Sequence, residues 1–289
     1  MGIEKIAVSD IMGDAVKRNK VYPKVLVIAG SEPLGSAGIQ ADIKAITCCG
    51  AYAAGSVTCI VNEDTTAVKD IYPLPPDLVI GQAESFLSDV GACAIKIGML
   101  FTEELISKVA GLLEKYPGIP AIVDPVMVNA TGQRLVEISA IEAYKNELFP
   151  LARLITPNAR EAALLLGHEM TMESAGKDME ELCRWGSSVI VKSIRPDGRQ
   201  IDLFKQAGTD GCEVIEKEMI RTPNVNGTGC TLSSSIAAYT ARGYSLHDAV
   251  HEAEKYIDGA IRAGSEYLFG KGFGPVCHNW RITDGGGTV

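Results

Sequence analysis

The segment Asn226-Gly-Thr-Gly-Cys-Thr231 leads straight into the apolar helical run Leu232 to Ala241. Gly227 and Gly229 at a helix start expose consecutive backbone N–H groups, and together with the helix dipole these form an anion hole. The plainer reading is a glycine-rich loop before a helix; the pattern favours the anion hole. Cys230 stands at the same helix start, where a thiol's pKa tends to fall. Asp124 stands where an apolar strand stops, either as a turn or helix cap or as a metal-side acid, and capping is the commoner use. Asn158 and Glu161 are spaced as a capping box, which accounts well for Asn158 and less fully for Glu161. Glu161 falls at the same sheet edge as Asp124, and two carboxylates converging there hold a Mg²⁺ through water. Lys192 ends the run Val189-Ile-Val; it either snorkels or delivers a point charge to a phosphate. Gly30-Ser-Glu-Pro-Leu-Gly-Ser-Ala-Gly38 is a tight turn or a binding loop, and no G-x-x-x-x-G-K-[ST] P-loop occurs anywhere.

These residues share a place in the pattern of elements. Apolar runs at 25–29, 56–61, 94–97, 121–124, 154–156 and 189–192 read as strands, the first as a strand covered on both faces. Helical patterns lie between them at 39–47, 77–90, 103–116, 140–148, 161–166 and 172–185. Runs 201–204 and 213–220 read as a hairpin pair, and 231–241 and 245–268 as closing helices. Strand–helix alternation of this kind predicts one α/β domain, a parallel sheet with helices on both faces, over 24–280. Residues 1–23 read as an extension and 281–289 as a flexible tail. In such a sheet the ligand sits beyond the carboxyl ends of the strands, where Asp124, Asn158, Glu161 and Lys192 all fall.

Composition narrows the function. The chain has 289 residues, 27 basic and 36 acidic, for a net charge of −9, which argues against a nucleic-acid polymer as partner. The apolar runs fall short of a membrane span. Eight cysteines include no C-x-x-C pair, and no secretory segment opens the chain; we read a reduced, cytoplasmic protein. His168, His247, His251 and His278 read as scattered surface residues without a zinc spacing, and Trp185 and Trp280 as packing anchors.

Taken in order, the segments IAGSEPLGSAGIQADIKAI at 28–46, KIGMLF at 96–101, VDPVMVN at 123–129, ITPNAREAA at 155–163, NGTGCTLSSSIAAY at 226–239 and GFGPVCHNW at 272–280 resemble the vitamin kinases of the ribokinase superfamily, the hydroxymethylpyrimidine/phosphomethylpyrimidine kinases and pyridoxine kinases. The resemblance spans about residues 25–280. It implies a ribokinase-like three-layer αβα sandwich and ATP- and Mg²⁺-dependent phosphorylation of a hydroxymethyl group on a pyrimidine or pyridine ring. It places Ala37, Val61, Glu63 and Met99 around the ring, and Asp124 and Glu161 on the Mg²⁺ side. Asn158, Lys192 and Thr228 match nucleotide and phosphate contacts, and Gly227 and Gly229 the anion hole. Cys230 matches the position of the general base, an Asp in many relatives; a thiolate there accepts the hydroxyl proton, or adds to an aldehyde such as pyridoxal as a transient hemithioacetal. Related kinases often dimerise, so a homodimer is compatible with the resemblance.

This chain departs from the pyrimidine branch at four places. Glu63 stands where Gln is frequent, Ser36 replaces a Gly, and Asn224-Val-Asn226 replaces the usual Asn-Thr-His. Lys192 is followed by Ser-Ile-Arg-Pro-Asp-Gly instead of Gly-Gly-His. Glu63 and the loop after Lys192 tilt the reading slightly toward vitamin B6, with the pyrimidine close behind. A sugar or nucleoside kinase, disfavoured by Cys230, and a non-catalytic pyridoxal binder are the remaining alternatives.

Overall fold

The computed structural model describes residues 21–128, 136 and 138–283. Most of the expected extension (1–20) and tail (284–289) lies outside these residues, as does Asn129.

The run Lys24–Ser31 (β1) is buried along its whole middle, as a strand covered on both faces must be. Around it a nine-stranded sheet is ordered β3-β2-β1-β4-β5-β6-β7-β8-β9. Its strands are β2 (Tyr52–Asp64), β3 (Ala67–Pro73), β4 (Ala94–Ile97), β5 (Ala121–Val123), β6 (Leu154–Ile155), β7 (Ser188–Ile194), β8 (Gln200–Lys205) and β9 (Glu213–Lys217). The six strands from β2 to β7 pair in parallel. Antiparallel β3 closes one edge, and β8 and β9 close the other. Helices α1 (Gly38–Cys48), α7 (Thr228–Ala241) and α8 (Leu246–Gly264) cover one face through Ile39, Leu232, Ile236, Val250 and Tyr256. Helices α2 (Pro76–Asp89), α3 (Glu103–Lys115), α4 (Ile138–Ala143), α5 (Ala159–Leu166) and α6 (Ala175–Cys183) cover the other. The expected three-layer αβα sandwich is present, and a short α9 (Trp280–Thr283) follows.

Four features differ from the sequence expectation. β3 escapes a reading by apolar pattern because nearly all of it is exposed on the edge. α7 starts three residues earlier than the apolar run because Gly227, left-handed at φ 77°, is its N-cap. The helix expected at 140–148 is α-helical only to Ala143, then continues as a π turn over Tyr144–Leu148. His278 is buried, 5% exposed, and shares a hydrogen bond of 3.0 Å with Thr231. Burial holds its pKa down at about 4, so it is a neutral core histidine. Trp280 packs on Tyr256, and Trp185 on Phe149, as expected of anchors. All eight cysteines are free thiols. Among the described residues no helix is long and apolar enough to cross a membrane.

Candidate active site

Two loops meet beyond the carboxyl ends of the strands. The first, 30–38, is folded around Glu32, whose carboxylate accepts from the backbone N–H groups of Leu34, Gly35 (3.0 Å), Ser36 (2.5 Å) and Ala37 (2.7 Å). The second runs from Asn226 into α7. Asn226 Nδ2 donates to Ser36 Oγ at 2.9 Å and ties the two together. They touch so closely that a Cβ on Gly227 would lie 1.7 Å from Ser36 O, which with the left-handed backbone admits glycine alone. The first α-helical hydrogen bond here is Thr231 N–H to Gly227 O at 2.8 Å. The N–H groups of Gly229 and Cys230 therefore face out of the helix end as orphan donors. Thr228 does not join them, since its N–H and hydroxyl both turn back to Val225 O.

A cation backs these donors. Lys192 Nζ lies 3.1 Å from where a Gly229 Cβ would be, and 2.7 Å from Asp124 Oδ1. Thr156 Oγ1 (3.0 Å) and Ser233 Oγ (3.2 Å) also donate to Asp124. Burial opposes ionisation of Asp124, but Lys192 and Lys96 outweigh it and hold the carboxyl below its ordinary range. The amine of Lys192, within β7 and buried, is thus paired and lies against the glycine loop, which excludes the snorkelling reading of Lys192. Asn158 caps α5 and completes the capping box with Glu161. Glu161 is nonetheless drawn into the site: it is 2% exposed and also accepts from Met127 N–H at 3.2 Å. Burial and the neighbouring Asp124 charge lift it to about 7. Two buried acids side by side, one pushed toward neutrality, are a donor set that a divalent cation fits. Each Asp124 oxygen already receives a hydrogen bond, which suits contact through water rather than direct ligation.

Cys230 is partly buried near Gly38 of the 30–38 loop. The thiol does not behave as a helix-start position suggests. Burial pushes it up to about 11; Lys96 pulls it back only in part, while Asp42 and Asp124 push further. At neutral pH Cys230 rests as a thiol. Lys96 and Asp42 are residues that the motif reading passed over. Both side chains are fully buried, and Lys96 Nζ lies 2.8 Å from each Asp42 oxygen, with Ser234 Oγ donating to Asp42 at 2.7 Å. The signal was present: a lysine in the middle of the buried strand Ala94–Ile97 needs a partner.

The residues that the resemblance places around a ring come from β2, the segment after β4 and the start of α1. Met99 and Cys59 pack against the backbone of Gly30, whose missing Cβ would lie 3.4 Å from Met99 Cε and 2.7 Å from Cys59 Sγ. Val61 and Glu63 follow on β2, and Ala37 is the N-cap of α1. Glu63 is half-buried; burial lifts its carboxyl to about 7, with Glu32 and Asp64 adding to the rise. The β2–β3 turn beside it is held by the 270–275 segment, where Gly272 N–H and Phe273 N–H donate to Thr65. Gly274 O in turn accepts from Asn226 N–H at 2.9 Å. Hydrogen bonds thus link the β2–β3 turn, through the 270–275 segment, to the glycine loop that opens α7.

A family model for phosphomethylpyrimidine kinase matches residues 32–277. The hydroxymethylpyrimidine/phosphomethylpyrimidine kinase of Rhizobium meliloti is 38% identical over 257 residues, covering 88% of this chain and 96% of its own. The chain spans about half the length of two bifunctional relatives, the thiamine biosynthesis proteins of Oryza sativa (49%) and Geobacter sulfurreducens (54%). Among solved structures, phosphomethylpyrimidine kinase from Clostridium difficile superposes with a TM-score of 0.73 at 33% identity, covering 82% of this chain and 99% of that one. Staphylococcus aureus pyridoxal kinase in complex with AMP-PCP superposes with a TM-score of 0.81 at 33% identity, covering 90% and 94%. A match over 246 consecutive positions carries Glu32 and its turn, the glycine loop at 226, both buried acids and Lys192 together, and on that ground the chain belongs to the phosphomethylpyrimidine kinase family.

Proposed function

We propose that this protein transfers the γ-phosphoryl group of ATP to the hydroxymethyl group of an aminopyrimidine. The observation that carries the reading is the Lys192 ammonium, paired to Asp124 and lying behind the orphan N–H groups of Gly229 and Cys230. That arrangement neutralises charge on a transferring phosphoryl group, which is most of what such catalysis requires. Asn158, at the sheet edge beside Lys192, is a candidate nucleotide contact. Asp124 and Glu161 would hold Mg²⁺ through water, and the ion would supply charge neutralisation on the phosphates. The purified chain with Mg²⁺ and ATP, assayed by ADP release against hydroxymethylpyrimidine, pyridoxal and pyridoxine, tests the reading; no turnover of the pyrimidine would overturn it.

Glu63 selects between ring types. With its carboxyl near pH 7 it is part neutral and part ionised at neutral pH. The neutral form donates one hydrogen bond and accepts another, matching the ring nitrogen and amino group of an aminopyrimidine. The ionised form only accepts and suits a pyridinium N–H. The sign follows: for an aminopyrimidine, KM rises as pH climbs from 6 to 8, whereas for a pyridinium ring it falls. Glu63→Gln keeps one donor and one acceptor at every pH, so its pyrimidine KM is expected to be flat over that interval. A KM that climbs equally in wild type and variant would remove Glu63 from ring recognition. Vitamin B6 is the second reading, favoured by the S. aureus pyridoxal kinase likeness and by the loop after Lys192.

Lys192→Ala is expected to cut kcat by about a hundredfold, the range for loss of one preorganised charge-stabilising donor. The vitamin Kd, measured calorimetrically without nucleotide, is expected to stay within about twofold. Unchanged kcat would return Lys192 to a purely structural partner of Asp124.

A further inference from the structure

On the α8 face, remote from the glycine loops, three side chains converge on one point. His247 and His251 are four residues apart, so a helix stacks them on one side, and their ring centroids are 4.4 Å apart. Glu213, the first residue of edge strand β9, reaches up between them. Its Oε2 lies 3.5 Å from His247 Nε2 and its Oε1 lies 2.9 Å from His251 Nε2. One donor atom from each of the three residues falls within 4.8 Å of the other two. Tetrahedral zinc with bonds of about 2.0–2.1 Å sets its ligand atoms about 3.4 Å apart, so the observed spacing closes onto an ion with small side-chain movement.

The surroundings match such a site. The other ring nitrogen of His247, Nδ1, faces Asp248 Oδ1 at 3.5 Å, the arrangement in which a carboxylate orients a metal-binding imidazole. His251 Nε2 is shut off from solvent and, close as it is to Glu213, stands outside hydrogen-bonding geometry. The three side chains are between 31% and 56% exposed, so the cluster lies at the surface, and a small turn of the His251 ring brings its Nε2 to an incoming ion. Phe204, the register partner of Glu213 on β8, packs 6.4 Å from the His247 ring and closes the inner side. The reading of these histidines as scattered surface residues missed the four-residue spacing; the partner carboxylate lies 34 positions away and shows only in the fold.

We propose that Glu213, His247 and His251 bind a divalent transition-metal ion of the zinc class, with water completing the coordination. The ion fastens β9 to the first turns of α8. It adds a further cross-link to a seam that Lys217 already joins to Glu254 and Asp258, and Glu218 to Arg262. Two imidazoles and one carboxylate suit zinc better than magnesium, which prefers oxygen ligands.

The test uses the reduced, EDTA-stripped full chain and Zn²⁺ alone, with affinity measured by competition against a chromophoric chelator. One Zn²⁺ per chain is expected. His247→Ala and His251→Ala are each expected to weaken it at least about tenfold, and the double variant to abolish it. Asp124→Asn is expected to leave it unchanged, and saturating Mg–ATP not to displace it. Zn²⁺ should raise Tm by a few degrees in wild type and not in the double variant. Both histidines are partly exposed, so the variants should keep the wild-type circular dichroism and kcat; should His251→Ala lose its fold, His251→Gln gives the same comparison. Absence of stoichiometric Zn²⁺, equal affinity in the double variant, or displacement by Mg–ATP overturns the proposal.

Discussion

Cys230→Ala is expected to lower kcat by about 10²–10⁴, the usual reach of a positioned proton acceptor. Cys230 lies in the first turn of α7, close to the buried Lys96–Asp42 pair. Burial raises the thiol to about 11, so only about one molecule in 10⁴ carries the thiolate at pH 7. Only the thiolate accepts a proton, and its population grows tenfold per pH unit below the pKa. The rate in wild type is therefore expected to climb with pH through the neutral and mildly alkaline range without a plateau. Cys230→Ser, whose hydroxyl stays neutral throughout, is expected to lose that climb. The loose transition state of phosphoryl transfer lets the hydroxyl proton leave late, which makes so weakly populated a base workable. A near-normal kcat in Cys230→Ala, or the same pH slope in both enzymes, removes the thiol from proton transfer.

The same residue shows where sequence reasoning stops. The position of Cys230 at a glycine-flanked helix start was readable, because Gly227 and the apolar run after it are local signals. Its pKa was not, because the burial that sets it comes from the 30–38 loop, nearly 200 residues away. Asp124, Asn158, Glu161 and Lys192 were likewise legible as ends of strands and starts of helices, and the parallel topology brings them to one edge. What the sequence left open was which polar atoms face each other: the capping box and the acid pair both use Glu161, and only the fold shows that one carboxylate serves both. Glu32 read as one polar residue in a turn, yet the turn is folded around it. The loop after Lys192 is a further instance. The family resemblance leads to glycine at position 193, and the φ of Ser193, 62°, is the left-handed conformation glycine favours. Asp202 on β8 accepts from Ser193 N–H at 2.7 Å and steadies it there. Ser193 thus holds a backbone conformation that suits glycine, which weakens its residue type as a marker of vitamer choice.

Lys96→Met is expected to destabilise the fold by about 3–5 kcal/mol, the cost of leaving one member of a buried ion pair without its partner. The pair is fully enclosed, and burial opposes the charge of Lys96, but Asp42 outweighs it and keeps the ammonium above its ordinary range. Removing the ammonium strands the Asp42 carboxylate beneath α7, with Ser234 as its only hydrogen-bond donor left among the described residues. Asp42→Leu alone is expected to cost a similar amount by stranding Lys96. The double variant Asp42→Leu/Lys96→Met removes both charges, and is expected to recover at least half of the loss, because hydrophobic replacement of a buried pair is often close to neutral. Urea denaturation of the four proteins measures this directly; single costs below about 1 kcal/mol, or a double variant as unstable as the sum, would contradict it. The pair has a second effect that packing alone does not produce. Lys96 is the main group holding the Cys230 thiol down against burial and the Asp42 charge. The double variant cancels much of both influences, whereas Lys96→Met leaves only the opposing one. At fixed pH the single variant should therefore fall further in kcat than the double, even when both are assayed well below their unfolding midpoints. Were the pair only a structural staple, two folded variants would turn over alike, so the ordering of their rates separates support of the fold from tuning of the thiol.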